Sequence, residues 1–453
     1  MKSVIICDME GLILQLNEGA KKTFGYEPEE LIGKKRVSIF SPGEIVLQNV
    51  INWLKSANKN GLYETKTNFV KKDGTYFSAK IKIIPNFANG KNKAQTGYCG
   101  ITEVIKEKVN IPISLSTKII KGVAITRAGF TSASLFPVLS VGSFMAGSGD
   151  GLFSVFGLVL TSIGIIFLQL FSNLYNDYFD VKHGTDGVNT EYFNAGMNSK
   201  ILEGAQISGG SRAIELGLIT LKGTKKLANY MFLITFLIYL SIVVNSFSIS
   251  NSVSNSFYAS IIALIGVFLG YFYTAKPLRL SAMRGLGELT IFLTFGPLLT
   301  LGAAFAISTQ TIELFSNTFF NYLLLGVPFG LLTTNILFIN QFPDYNADKV
   351  SGKNNLVVIL GKKNARWIYS FLLILAFVFM FLFKSTLEKN LLNFFPVFYD
   401  ISMLILLFIG LGISYSLFKN YDNRNLINSN INTIHFQSIF SIVFILLLNT
   451  FFI

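Results

Sequence analysis

Apolar residues fall into two regimes along this chain. The first 110 positions mix polar and apolar residues in short runs, whereas from Arg127 onward long apolar stretches alternate with polar loops. In the first regime, alternating runs at Val4–Cys7 and Leu12–Leu16 flank a turn at Glu10-Gly11. Further runs at Tyr63–Val70 and Tyr76–Ile84 flank Lys71-Lys-Asp-Gly74. A period of two reads as half-buried strand, and a turn signal between two such runs reads as a hairpin. Residues 1–108 are therefore expected to form a small α+β domain of strands, short helices and a meander, followed by a linker over 109–126. From residue 127 to 453, nine stretches are long and apolar enough for membrane helices, which need about 20 residues each. They run roughly over 128–147, 152–173, 228–247, 257–274, 287–307, 320–341, 367–384, 397–418 and 432–453. The predicted fold is an all-α polytopic membrane bundle with an N-terminal α+β domain.

Composition narrows the chemistry. The 453 residues are 51% hydrophobic and only 14% charged, a membrane profile. Two cysteines, Cys7 and Cys99, exclude a disulfide scaffold and a multi-cysteine metal site. Two histidines, His183 and His435, leave no histidine-rich metal chemistry. The first 110 residues hold no long apolar run, so no cleavable signal peptide is expected. The net charge of +13 sits mostly in loops beside spans. It reads as orientation signal and anionic-substrate contact, with no nucleic-acid partner. Basic residues crowd the loops after spans two, four and six, while 248–256 and 308–318 carry none. By the positive-inside rule, those three loops and the N-terminal domain face the cytoplasm of an inner or plasma membrane, and the C-terminus lies outside.

Two of these loops open on acidic clusters: Asn176-Asp-Tyr-Phe-Asp180 followed by Asp186, and Asn340-Gln-Phe-Pro-Asp344-Tyr-Asn-Ala-Asp348. Both are expected where an apolar span runs out into a polar loop. Charge at the mouth of a membrane helix is costly and usually marks function. Asn176 and Asp180 are four apart and share a helix face. Two carboxylate-rich exits suit a hard divalent cation shared with a diphosphate, since Mg²⁺ takes oxygen ligands and pairs a few carboxylates with substrate phosphates. Asp177, Asp180, Asp186, Asp344 and Asp348 are the candidate ligands.

The stretch from 127 to 453 resembles the UbiA superfamily of membrane prenyltransferases, through Asn176-Asp-Tyr-Phe-Asp180-x5-Asp186 and Asp344-x3-Asp348-x3-Gly352-Lys353. Between them lie Tyr271-Phe-Tyr-Thr-Ala-Lys-Pro277 and Gly285-Leu-Gly-Glu-Leu, which fit the same family. With Gly209-Gly-Ser-Arg212 they look most like the branch that prenylates 1,4-dihydroxy-2-naphthoate in menaquinone synthesis. The resemblance implies two Mg²⁺, a polyprenyl diphosphate, an aromatic acceptor and an opening to the lipid bilayer. Arg212, Lys276 and Lys353 would meet the leaving diphosphate. Tyr271 or Tyr273 would face the allylic cation. Asn176, Asn340 and Glu288 would assist binding. Helix capping, a solvated position or plain positive-inside anchoring is the alternative for each of these polar residues, and an aromatic belt for the tyrosines. Another acceptor, such as 4-hydroxybenzoate or homogentisate, and a membrane sensor or transporter are the competing functions.

Residues 1–108 resemble a PAS domain, carried by Asp8-Met-Glu-Gly-Leu-Ile, Phe24-Gly-Tyr with Glu30-Leu-Ile-Gly-Lys34, and Lys71-Lys-Asp-Gly-Thr-Tyr-Phe77. The resemblance implies a regulatory, sensory or homodimerising module. No haem-ligating histidine or flavin-adduct cysteine motif is found in it, and Cys7 and Cys99 read as core.

Overall fold

The architecture comes from a computed structural model. The residues described are 2–9, 11–41, 50–88, 94–110, 115–147, 153–183, 211, 213–214, 218–249, 253–387, 395–423 and 425–450. They form two compact units, one built on the chain up to Ala128 together with Ser211–Thr224, the other on the helices that follow.

The first unit is built on a five-stranded antiparallel sheet. Its strands are β1 (Ser3–Asp8), β2 (Ile13–Leu16), β3 (Tyr63–Val70), β4 (Tyr76–Phe87) and β5 (Gln95–Val104), in the order β2-β1-β5-β4-β3. Helices α1 (Glu18–Phe24), α2 (Pro28–Leu31) and α3 (Val50–Asn60) interrupt the strands, and α4 (Leu115–Thr126) follows them. Asn17 caps α1 by accepting from the Ala20 amide at 2.9 Å, and also accepts from Val4 N, tying the helix to β1. Phe24 is the hub of the core, its ring centroid 4.1 Å from that of Phe40 and within 6 Å of those of Phe69 and Phe77. Cys7 and Cys99 lie in β1 and β5. Burial pushes the Cys7 thiol up to about 12, so it is protonated and inert at neutral pH.

The second unit is helical. Its helices are α5 (Ser132–Gly147), α6 (Val155–Lys182), α7 (Leu221–Ile249), α8 (Val253–Phe272), α9 (Leu286–Phe295), α10 (Pro297–Ile307), α11 (Asn317–Val350), α12 (Leu356–Leu360), α13 (Lys362–Leu387), α14 (Phe395–Asn420) and α15 (Leu426–Thr450). Among the described residues nine helical stretches are long and apolar enough to cross a membrane. The fold is the polytopic bundle that the apolar pattern predicts.

Two expectations gain detail. The predicted span 287–307 is two helices, broken at Gly296-Pro297, where proline cannot donate to the ladder. The acidic clusters lie at the helix exits as expected, with their described residues in the last turns of the helices and not in the loops beyond. Helix α6 runs on to Lys182 and α11 to Val350. At 1.5 Å per residue these helices are about 42 and 51 Å long, well beyond a hydrocarbon core of about 30 Å. The acidic motifs ride on rigid helical extensions.

Helix α11 is the axis of the bundle. Its Gly326-x3-Gly330 faces the break at Gly296. A Cβ on Gly330 would meet Phe292 O at 2.4 Å, and one on Gly326 would meet the Gly296 carbonyl carbon at 2.6 Å. Small residues spaced four apart let helix backbones approach this closely. Lower down, Pro343 leaves the carbonyl of Ile339 without its intrahelical donor, and Asn430 Nδ2 of α15 approaches that oxygen at 3.4 Å. Gly330→Leu is expected to cost at least about 2 kcal/mol through overpacking. Gly266→Ala, which faces open space, should stay within about 0.5 kcal/mol. Thermal unfolding of both variants in detergent checks the contrast.

Candidate active site

The end of α11 explains why a Gly-Lys pair follows the second acidic cluster. Ser351 caps the helix and Gly352 adopts φ 72°, the left-handed conformation that glycine takes without strain. Lys353 N then donates to Asp348 O at 2.8 Å and Gly352 N to Lys349 O at 3.4 Å, the paired bonds of a Schellman ending. This turn throws the Lys353 side chain back across the helix end. Its Nζ sits 3.0 Å from Asp180 Oδ1 on α6 and 3.8 Å from Asp348 Oδ1 on α11. One ammonium thus bridges carboxylates from the two acidic motifs. Asp180 Oδ1 is buried and makes no aligned hydrogen bond, so the contact with Lys353 is an ion pair. Asp344 and Asp180 both act on Asp348 electrostatically.

Neighbouring side chains hold these groups. Asn355 caps α12 by accepting from Val358 N at 2.9 Å, and its Nδ2 donates to Asp348 Oδ2 at 2.7 Å. Thr274, just after α8, donates to Asn176 Oδ1 at 2.9 Å. Asn430 donates to Asn340 Oδ1 at 2.9 Å. Glu288, in the first turn of α9, accepts from Gln341 Nε2 and from the Leu356 amide, both at 3.0 Å. Its other oxygen is buried without a hydrogen bond. Asp177 is buried. Tyr271 packs edge-on against Tyr175 and Phe179, with centroids 5.1 and 5.5 Å apart. The loop after α8 brings Lys276 and Arg279 near His183, the residue that closes α6. Burial, reinforced by those two cations, holds the His183 imidazole below its ordinary value, so it is neutral at pH 7.

The donors suit Mg²⁺. Every candidate ligand is an oxygen, one carboxylate oxygen is buried without a hydrogen bond, and a cation already lies between the two motifs. Among the described residues no group of three or more acid, histidine or cysteine side chains could hold a metal ion by itself. A pair of carboxylates from two helices fits a metal only where its remaining ligands are water and substrate phosphates.

The structure therefore brings Asp180, Asp344, Asp348 and Lys353 together. It places Asn176 and Tyr271 on the same extension of α6 or against it, and Lys276 beside His183 at that extension's tip. Tyr273 lies in the same loop, its carbonyl accepting from Ser281 N. Glu288 and Asn340 are engaged by partners within the bundle. Asp186 and Arg212 lie outside the described residues.

Residues 134–434 match the model of the UbiA prenyltransferase family, and residues 1–104 that of the PAS domain. The chain belongs to the UbiA prenyltransferase family. It is a transferase of prenyl groups, built as a multi-pass membrane protein with a PAS domain at its N-terminus. UbiA prenyltransferase domain-containing protein 1 of Dictyostelium discoideum is 28% identical over 268 residues, 59% of this chain and 72% of that one. The 1,4-dihydroxy-2-naphthoate octaprenyltransferase of Escherichia coli is 28% identical over 253 residues, 55% of this chain and 71% of the relative. A solved UbiA homologue from Archaeoglobus fulgidus, described as bound to GPP and Mg²⁺, is 15% identical with a TM-score of 0.46, covering 73% of this chain and 99% of that one.

The UbiA unit also uses residues the motif search passed over: Thr274, Asn355, Gln341 and Asn430. Thr274 and Asn355 sit within or just after recognised motifs, so proximity in sequence was the available signal. Gln341, beside Asn340 in the second acidic motif, and Asn430 act across helices, and nothing local marks Asn430. Lys353→Met is expected to leave the carboxylates facing each other, lowering stability by about 2 kcal/mol without metal. Added Mg²⁺ should restore more of that loss than it adds to the parent protein. Thermal unfolding in EDTA and in Mg²⁺ reads this difference.

Proposed function

We propose that this protein transfers a polyprenyl group from an allylic diphosphate to an aromatic acceptor, 1,4-dihydroxy-2-naphthoate, giving a demethylmenaquinone-type product. The observation that carries the reading is the meeting of Asp180 from α6 and Asp348 from α11 across one cation. Asp180, Asp344 and Asp348 would hold Mg²⁺, with Asp177 and Asp186 as further acids of the same motif. When bound, the metal supplies charge neutralisation of the diphosphate oxygens.

The remaining steps belong to the chain's own groups. Lys353, Lys276 and Arg212 carry fixed positive charge toward the leaving group as its own charge develops, a preorganised electrostatic contribution. Asn176 and Asn340 orient the ends of the two motifs. Tyr271 or Tyr273 presents a ring face to the allylic cation, a cation–π contact worth about 2 kcal/mol when desolvated. The apolar spans exclude water from the cation until the electron-rich ring attacks it: the diphosphate departs, the new carbon–carbon bond forms, and the acceptor's carboxyl group is lost as CO₂. The naphthoate acceptor is favoured because the Escherichia coli relative, similar over more than half of this chain, carries that activity in its name. The site is proposed to face the cytoplasm, on the side of the basic loops.

Membranes containing the protein, given Mg²⁺, a long-chain allylic diphosphate and a panel of aromatic acids, should yield a demethylmenaquinone-type product from 1,4-dihydroxy-2-naphthoate by mass spectrometry, and none when Mg²⁺ is chelated. Product from a different ring would move the acceptor; none from any acceptor in folded protein would contradict the transferase reading. The PAS domain is proposed as a regulatory module that pairs with a second copy. Removing residues 2–108 should change the rate, or its response to redox state, by about threefold or more. Identical kinetics under all such conditions would contradict regulation.

A further inference from the structure

Gln437 on α15 is 1% exposed, yet neither its Nε2 nor its Oε1 has a hydrogen-bond partner among the described residues. Thr333 on α11 is 5% exposed, and its Oγ1 is likewise unpartnered. Polar atoms buried in a bundle nearly always find partners, and in a membrane the penalty for failing is larger. Polar side chains kept there mark ligand pathways.

The two residues are at one level. Asn340 Oδ1 accepts from Asn430 at one end of the α11–α15 contact, while Phe329 packs on Phe440 and Phe444 at the other, with centroids 5.7 and 6.1 Å apart. Interpolating along these antiparallel helices sets Gln437 opposite Thr333. Phe329, Thr333 and Asn340 lie within about 40° around α11, and Gln437 falls between Asn430 and Phe444 around α15, so both residues turn toward the shared contact. Helix α5 closes the same layer: Ser438 Oγ donates to Ser132 Oγ at 3.4 Å, and Ser134 bonds Gln169 of α6, whose Nε2 donates to Phe130 O at 2.9 Å. Gln169 is satisfied; Gln437 and Thr333 are not.

Depth identifies the ligand. Gln169 precedes Asn176 by seven residues on α6, and Thr333 precedes Asn340 by seven on α11, about 10 Å deeper than the asparagine that opens each acidic motif and about 17 Å deeper along the axis than Asp180 and Asp344. We propose that Gln437 and Thr333 form a deep polar subsite for the ring oxygens of the aromatic acceptor. This rests on the prenyltransferase reading. With the diphosphate at the acidic level, the reacting carbon comes next and the acceptor ring beyond it. The prenyl tail is hydrocarbon and cannot satisfy an amide. A hydroxylated aromatic edge can: the Gln437 amide offers one donating and one accepting end, and the Thr333 hydroxyl offers both.

The test uses the full-length protein and two ligands separately: 1,4-dihydroxy-2-naphthoate as the acceptor probe, and geranylgeranyl diphosphate with Mg²⁺. In thermal unfolding each should stabilise the parent protein. Gln437→Leu and the nearly isosteric Thr333→Val should lose the acceptor shift and keep the diphosphate shift. In turnover, the acceptor KM should rise about tenfold and the diphosphate KM change less than about twofold, because a pairing site discriminates by the groups it satisfies. An acceptor shift equal in parent and both variants would overturn the subsite while leaving the transferase reading intact, the result expected if the two residues only hold water. A diphosphate shift without any acceptor shift in the parent would also overturn it. Absence of both shifts and of any product would instead remove the reading on which the proposal rests.

Discussion

Like charges brought together at the end of a membrane bundle must be compensated, and the proposed active site of this protein is arranged around that constraint. Helices α6 and α11 each deliver carboxylates to one place, and Lys353 lies between them. The cation comes from the same helix ending that places Asp348, so compensation is built into the turn. A left-handed glycine, a Schellman ending and one lysine put positive charge where the substrate complex would otherwise have to supply it. The same arrangement leaves a buried carboxylate oxygen outside any aligned hydrogen bond, ready for a harder cation.

That placement depends on rigid backbone. Each acidic motif sits on a continuation of a transmembrane helix, so its side chains are fixed by the packing of the bundle below. Helix α11 carries most of this burden. Its glycines meet the break between α9 and α10, its proline-freed carbonyl is met by Asn430, and Gln341 near its end anchors Glu288. Glu288 in turn fixes the start of α12, from which Asn355 reaches Asp348. A chain of contacts thus connects the packing of the membrane core with the geometry of the carboxylates.

Much of this was legible in the sequence because it is local or periodic. Apolar runs gave the nine spans to within several residues, and the four-residue spacing of Asn176 and Asp180, repeated in Asn340, Asp344 and Asp348, gave faces of helices. Motif order gave the family. What was missed was missed for physical reasons. Hydropathy marks where apolar residues stop, and a helix does not stop there; polar residues with good hydrogen bonding carried α6 and α11 on past the apolar run. A glycine-proline pair inside one apolar run breaks the helix within a span that the run itself had placed. Partners such as Thr274, Gln341 and Asn430 meet their targets across helices, a relation that one-dimensional spacing does not contain. The polar layer at Gln437 was invisible for the same reason.

The claim that α6 and α11 complete a single metal–diphosphate site is tested most directly by a double-mutant cycle. Prenyl transfer would be titrated with Mg²⁺ in the parent protein, Asp180→Asn, Asp348→Asn and the double variant. A shared site predicts that each single change raises the Mg²⁺ requirement by about tenfold or more, and that the second adds much less once the first is made. Independent, fully multiplicative effects, or a single variant with the parent's Mg²⁺ dependence, would contradict it.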